Sequence, residues 1–402
     1  MSNHTWTGDD PVDEAAAAPR AAQPVTETIG GTTVLPRRGN DEGSVVQQPQ
    51  GPRFDKFKEL GRGGLGVVVS AVDRDIGRRV AIKQLRADRT SRGALLRFAE
   101  EVRTVGALDH PYIVPIHDVG IDALGAPYFV MKHVEGRTLT EIITDLKQGD
   151  EAAHAHWPFT RRLEVFRKVL EAVSFAHDAG IIHRDLKPDN IMIGAHGEVH
   201  VLDWGIARRS NLPDLPPGDD ASFEGRVTET RDGAIMGTPA YMAPEQARGD
   251  AVDVRSDLYS LAVVLHEFLG LTHYLEGIDD LDQLLEGVQK TPAPNLMMKS
   301  VDGQPTVPAH VHWMVMKALS KSPADRFPSA RDWLERLEGF ADGDIPVQCP
   351  FTLQRSLVSR LAGSMDDHPI LWTMAFLFVS GTALTAVVTG FLFSFVFGAL
   401  VV

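Results

Sequence analysis

The sequence predicts an α+β chain in which strands come first and helices follow, with a transmembrane helix at the C-terminal end. Three observations carry this expectation. Between Phe54 and Val134 most apolar residues fall in short runs rich in β-branched side chains, set off by glycine and aspartate turns. From Arg161 onward apolar residues recur at helical spacing. From Pro369 to Val402 no charged residue occurs, a stretch long enough to cross a bilayer.

The 402 residues suffice for two or three compact units with cores of their own. A net charge of −14 argues against a nucleic-acid footprint, so no nucleic-acid partner is expected. The one cysteine, Cys349, excludes an internal disulfide and a cysteine metal cage, and fits a reducing compartment. No apolar run opens the chain, so no secretory signal is expected.

Residues 1–53 are rich in Ala, Pro, Thr, Gly and Gln without apolar periodicity and read as disordered, a passive spacer or a phosphate-accepting tail. Order begins at Phe54. Gly61, Gly63 and Gly66, followed by Val68, have the spacing G-x-G-x-x-G-x-V. A dinucleotide-binding turn would open a helix at its last glycine, whereas Gly66 leads into the β-rich run Val67–Val72. No Gly-Lys-Ser/Thr follows, which excludes a P-loop. The glycines therefore cap a strand–turn–strand flap whose amides can approach phosphates. Arg78–Leu85 returns as a strand with Ala81 and Lys83 on one face, Val80 and Ile82 on the other.

Ser91–Leu108 reads as a helix with Leu95, Leu96, Phe98, Val102 and Val105 on its apolar face. Ile113–Val119 and Pro127–Val134 read as two more strands that complete a small sheet. A long helix over Arg161–Gly180 carries Leu163, Val165, Phe166, Val169, Leu170, Val173 and Phe175. Arg208–Arg231 is polar, holds Pro213, Pro216 and Pro217, and reads as a long loop. Helices follow from Arg255 to about Gly270, over Leu281–Val288 and His312–Leu319, and from Ser329 to Phe340.

The chemistry concentrates in two short polar stretches. His183-Arg184-Asp185-Leu186-Lys187-Pro188-Asp189-Asn190 offers a proton acceptor in Asp185 and an oxygen ligand in Asn190. The runs Ile191–Ile193 and Val199–Leu202 form a hairpin that returns Asp203 beside Asn190. Two oxygen ligands on adjacent turns suit Mg²⁺, which keeps waters and takes substrate phosphates as further ligands.

With Asp203-Trp204-Gly205, these stretches resemble the catalytic loop and metal-binding segment of the eukaryotic-type protein kinases, in the style of the bacterial serine/threonine kinases. The resemblance spans about Phe54 to Phe340 with the main motifs in order. It implies a two-lobed protein kinase fold, with a small β-rich N-lobe and a larger helical C-lobe, that transfers the γ-phosphate of ATP to protein Ser/Thr hydroxyls, its own included, in signalling. Gly61, Gly63 and Gly66 would cover the phosphates; Leu60, Val68, Ala81, Met131, Val134 and Met192 would line the nucleotide. Met131 matches the gatekeeper, and Lys132, His133 and Val134 the hinge. Lys83 would grip the α and β phosphates, held by Glu101, which lies nine residues before His110-Pro111; Glu100 is its rival.

The same resemblance makes Asp185 the group that orients the acceptor hydroxyl and takes its proton. It gives Lys187 charge neutralisation, and Asn190 and Asp203 the binding of Mg²⁺. It pairs Glu245 with Arg326 and sets Asp257 as a brace beneath the catalytic loop. Lys187 and Thr238 match the serine/threonine class. A lengthened activation loop would carry Thr228, Thr230 and Ser222 as phosphate acceptors facing Arg184. Two departures stand out: Trp204 replaces the usual Phe, and Lys132 stands where an acidic residue is common. A nucleotide-binding pseudokinase acting as a membrane scaffold is the alternative, although its usual signature, loss of the lysine, the base or the metal aspartate, is missing.

Residues 341–368 read as a juxtamembrane linker and 369–402 as one tilted span starting near Leu371. Arg355 and Arg360 precede the span and no Lys or Arg follows, so the catalytic part is expected on the cytoplasmic side of the cell membrane. Thr382, Ala386, Gly390, Ser394 and Gly398 form a stripe of small residues that would let two copies pair as a homodimer.

Overall fold

The computed structural model describes residues 52–62, 66–86, 91–204, 208–209, 238–299 and 301–341. The expectations for the N-terminal segment, Gly63, the loop threonines and the C-terminal tail fall outside these residues. No described helix is long and apolar enough to cross a membrane. The chain divides into two compact units: one ends at Leu95 and takes in Ile116–His133; the other comprises Leu96–Pro115 and the chain from Val134.

The first unit is an antiparallel sheet of β1 (Phe54–Arg62), β2 (Gly66–Asp73), β3 (Arg78–Leu85), β4 (Ile116–Ile121) and β5 (Pro127–Lys132), in the order β1-β2-β3-β5-β4. One face forms the core: Phe54, Val67, Val69, Ala71, Val80, Ile82, Tyr128 and Val130 pack together. These are alternate positions on each inner strand, as a pleated sheet with one dry face requires. Arg53 closes the end of the sheet, with its guanidinium on Asp73 at 2.9 Å and on Asp118 at 2.6 Å. The β4 strand starts at Ile116 rather than Ile113. Ile113 instead makes a parallel bridge to Val201 in the second unit, so the expected strand is split between two bodies.

Helix α1 (Arg92–Gly106) corrects the apolar face read from sequence. Ala94, Phe98, Glu101, Thr104 and Val105 are its buried residues, whereas Leu95 and Leu96 are exposed and Val102 is half-buried. The spacing of 94, 98, 101 and 105 is helical; a buried glutamate occupies a place the leucines were expected to fill.

The second unit is mainly helical. After β6 (Gly136–Thr138) come α2 (Leu139–Lys147), α3 (Glu151–His156) and α4 (Phe159–Asp178). Thr138 and Glu141 form a reciprocal capping box that starts α2. On α4, Phe175 is exposed and stacks on His110 at 5.0 Å, while Arg162 is buried in the apolar row. Burial pulls the Arg162 pKa down to about 10, and its guanidinium donates to the carbonyls of Trp157 at 2.9 Å and Phe268 at 2.6 Å. The polar residue is tolerated inside because its donors meet backbone acceptors.

Beyond β7 (Ile181–Ile182), β8 (Ile191–Gly194) and β9 (Val199–Val201) form the expected hairpin, with β6 on its outer side; β10 (Arg208–Arg209) pairs with β7. Then follow α5 (Pro244–Arg248), α6 (Val254–Gly270), α7 (Leu281–Lys290), α8 (Ala309–Ala318) and α9 (Ala330–Ala341). Every residue of α6 from Ser256 to Gly270 is buried. A helix apolar on all sides belongs at the centre of its unit, and the few polar groups on it need partners. α4 packs on α6 and α9, where Trp333 stacks on Phe327 at 5.3 Å and tilts on Phe166 at 5.0 Å.

Candidate active site

In the first unit the candidate nucleotide residues share one sheet face. Val68 is opposite Lys83, Lys83 opposite Phe129, and Ala81 opposite both Ser70 and Met131. Directly paired residues point the same way, and Ala81 and Lys83 are two apart on β3. Val68, Ala81, Lys83 and Met131 therefore stand on the face away from the core. Ala81 is buried, the other three are half-buried, and Leu60 is exposed.

The glycines at the turn differ in kind. A Cβ on Gly66 would lie 2.7 Å from the carbonyl oxygen of Gln84, so the tight β2–β3 approach itself demands glycine there. Among the described residues a Cβ on Gly61 would meet nothing within 4 Å and its φ is not positive, so none of them requires glycine at that place. Close approach by a bound group is a reason that would.

In the second unit, the loop after β7 is held from below by one buried carboxylate. Asp257, in the first turn of α6, accepts from the amide of His183 and from the amide of Arg184, each at 2.8 Å, and meets His177 Nε2 at 2.8 Å. Burial alone would push its pKa up; the His177 contact and the loop amides outweigh that and hold the carboxyl below its ordinary range. Arg184 has φ 68°, a left-handed conformation that costs a non-glycine residue energy. The paired amide bonds to Asp257 offset that cost.

The catalytic-loop side chains lie together. Asn190 ends a short turn begun by Pro188, and its Nδ2 donates to the Asp185 carbonyl at 2.8 Å and to Asp185 Oδ2 at 3.3 Å. This orients the amide, leaving Asn190 Oδ1 as the acceptor end. Lys187 Nζ lies 3.0 Å from Asp185 Oδ2. Burial raises the Asp185 pKa, Lys187 opposes the rise, and the charge of Asp203 adds to it. The Asn190 amide oxygen and the Asp203 carboxylate are oxygen donors of the kind that a hard divalent cation such as Mg²⁺ takes.

The hairpin brings the second stretch to the first. Leu202 donates its amide to the Asn190 carbonyl at 2.8 Å, and His183 Nε2 meets the Leu202 carbonyl at 3.0 Å. The Leu202 bond to Asn190 sets the adjoining Asp203 next to the catalytic loop. Asp203 has φ 54°, the second non-glycine residue of the site in the left-handed region. Trp204 is buried and its ring lies 4.5 Å from that of His183, so it fills the apolar place expected of it. Met192 is half-buried on β8, opposite Thr138 and His200. Val134 is half-buried just past the end of β5.

Of the two candidate glutamates on α1, Glu101 is 4% exposed, whereas Glu100 is at the surface with Arg103 at 3.2 Å. Burial sets Glu101 apart from its rival, because a carboxylate is rarely buried without a partner.

The segment after Thr238 is anchored by groups far away in sequence. Arg326 grips Glu245 through both nitrogens, at 2.7 and 2.8 Å, and Ser256 Oγ donates to Glu245 Oε1 at 2.6 Å. Gln246 Nε2 donates to the Arg184 carbonyl at 3.0 Å, tying α5 to the catalytic loop. Tyr241 donates its hydroxyl to Glu267 Oε2 at 2.6 Å, and Lys147 Nζ lies 2.8 Å from Glu267 Oε1. Burial first, then Glu267, pushes the Tyr241 hydroxyl pKa well up, so it stays a donor. Sequence reading missed His177, Gln246, Lys147 and Glu267. The available signal was Glu267 itself, a carboxylate inside the apolar run Val263–Leu269, which predicts a buried partner without naming it.

Residues 54–336 match the model of the protein kinase domain family. A probable serine/threonine-protein kinase of Streptomyces coelicolor is 35% identical over 331 residues, covering 81% of this chain and 45% of that protein. The serine/threonine-protein kinase PknB of Mycobacterium tuberculosis is 36% identical over 324 residues, covering 78% of this chain and 47% of its own. The chain thus spans about half the length of these relatives. The crystallised kinase domain of Mycobacterium tuberculosis PknI, in a double-mutant form, superposes with a TM-score of 0.50 at 22% identity, covering 72% of this chain and 96% of that one, a likeness of fold.

Proposed function

The chain belongs to the protein kinase domain family, and on that premise we propose that it is a serine/threonine protein kinase that transfers the γ-phosphate of ATP to protein hydroxyls. The observation that carries the proposal is the cluster of Asp185, Lys187 and Asn190 on a loop braced by Asp257. Phosphoryl transfer needs mainly positioning and charge neutralisation, and that cluster supplies both.

In this reading Asp185 accepts the hydroxyl proton of the protein substrate and orients its oxygen. Burial raises its pKa and so makes it a better proton acceptor than an exposed carboxylate, while Lys187 keeps it in place. Lys187 also faces the transferring group with positive charge. Asn190 Oδ1 and the Asp203 carboxylate would hold Mg²⁺, which when bound screens charge on the nucleotide phosphates. On the sheet unit, Lys83 binds phosphate oxygens, and Val68, Ala81 and Met131 give the adenine an apolar face. Lys187 and Thr238 support Ser/Thr over Tyr as acceptor, as do the names of the curated relatives.

The uncharged stretch 369–402 supports anchorage in the cell membrane, with Arg355 and Arg360 holding the catalytic part on the cytoplasmic side. Such a kinase fits a role in signalling, and pairing through the small-residue stripe would favour phosphorylation between copies. The decisive test is transfer of labelled phosphate from ATP with Mg²⁺ to the chain and to an added Ser/Thr substrate. Asp185→Asn is expected to lower the rate by about a thousandfold without changing the unfolding midpoint. Unchanged transfer by that variant overturns the assignment of the base.

A further inference from the structure

The outer sides of α8 and α9 leave a recess of about 410 Å³ lined by Trp313, Met316, Lys317 and Arg336. Trp313 is 41% exposed, although its neighbours Val311, Met314 and Val315 are buried. Lys317 Nζ lies 5.6 Å from the Phe327 ring, and neither Lys317 nor Arg336 has an ion-pair partner among the described residues. The recess therefore combines apolar side chains with two cations that have no ion-pair partner among the described residues. That chemistry fits an extended peptide carrying both carboxylates and apolar side chains.

The chain carries such a peptide directly after α9. Asp342-Gly343-Asp344-Ile345-Pro346-Val347-Gln348-Cys349-Pro350-Phe351 has two aspartates, no Lys or Arg, and apolar residues at 345, 347 and 351. Pro346 and Pro350 bias their preceding residues to extended backbone, which suits a groove and opposes continuation of the helix. Reach is sufficient. Arg336 stands one and a half turns before the end of α9 at Ala341, about 8 Å along the axis. Ten extended residues reach up to about 33 Å.

We propose that residues 342–351 fold back as an extended strap in this recess, with Asp342 and Asp344 meeting Arg336 and Lys317 and the apolar side chains covering Trp313 and Met316. A concave recess favours a peptide over a lipid surface, which meets flat or convex faces. The inference goes beyond the proposed function and does not depend on catalysis.

Cys349 lies in the strap and is the one thiol of the chain, so it reports the strap directly. The full chain, held in discs of neutral phosphatidylcholine, is labelled with a maleimide and the rate followed. Lys317→Glu/Arg336→Glu is expected to speed labelling about fivefold or more. Asp342→Lys/Asp344→Lys, which alters no element of the folded body, is expected to do the same. Combining all four substitutions restores complementarity and should return the rate to the parent's. Equal rates in the parent and both double variants overturn the proposal. So does a parent rate that falls only when anionic phosphatidylserine is added, since the recess would then serve a lipid surface.

Discussion

On the sheet unit, Val68, Ala81, Lys83 and Met131 share a face because strand register leaves them no other; on the helical unit, Asp185, Asn190 and Asp203 are set by individual hydrogen bonds to backbone groups. The first arrangement is periodic. Any sequence that keeps β2, β3 and β5 in register presents those positions, and a slip of one residue would turn all of them inward. The second is aperiodic. It needs a buried carboxylate at one point in space and tolerates left-handed backbone at Arg184 and Asp203. A binding face can be held by repetition, whereas a reacting loop is held by particular bonds, and the two should fail differently on mutation.

The largest effect is expected on the loop. Asp257→Ala leaves two buried amides without their acceptor and releases the bend at Arg184. It should cost about 3 kcal/mol or more in urea unfolding and abolish phosphate transfer. Retention of the parent's transfer rate would show that the loop holds its shape without this brace.

Next comes the Glu245–Arg326 pair, buried on both sides. Glu245→Gln should destabilise by about 3 kcal/mol at neutral pH, since it leaves the Arg326 charge buried and uncompensated. Burial would raise the Glu245 pKa, but Arg326 and Ser256 hold it below the ordinary carboxylate range. Its contribution is therefore fully present above the unfolded carboxylate pKa and is lost as pH falls through the lower, folded value. Urea midpoints measured from neutral pH downward should thus converge for parent and variant on the acid side.

On the sheet unit the effects are smaller and separable. Gly66→Ala pushes a methyl group against the Gln84 carbonyl and should cost about 1–3 kcal/mol. Gly61→Ala meets no described atom within 4 Å and should stay within about 0.5 kcal/mol of the parent, yet raise the KM for ATP. Equal stability loss in both variants would erase the distinction between a glycine needed by the fold and one needed by a ligand.

Much of this is legible in the sequence, for identifiable reasons. The hairpin that joins Asn190 to Asp203 is local, and its turn and alternating runs are written within a dozen residues. The sheet face follows from period two. The buried stripe of α1 is not legible in the same way, because Leu95 and Leu96 outscore Ala94 and Glu101 in hydrophobicity, while burial depends on what each side of the helix meets. Phe175 on α4 misleads for the same reason. The bonds of Gln246 to Arg184 and of Lys147 and Tyr241 to Glu267 join groups separated by 62, 120 and 26 residues. Such pairings have no periodicity to show, and only the oddity of a carboxylate within an apolar helix marks one end of them.

The Gln246 bond to the Arg184 carbonyl makes the loop and the segment before α6 parts of one equilibrium. A substrate that steadies α5 thereby steadies the residue next to Asp185, and by thermodynamic reciprocity a ligand that orders the loop tightens the hold on that substrate by the same free energy. On the function proposed above, the hold on α5 and the setting of Asp185 would then be two readings of a single coupling constant, carried by one side-chain amide.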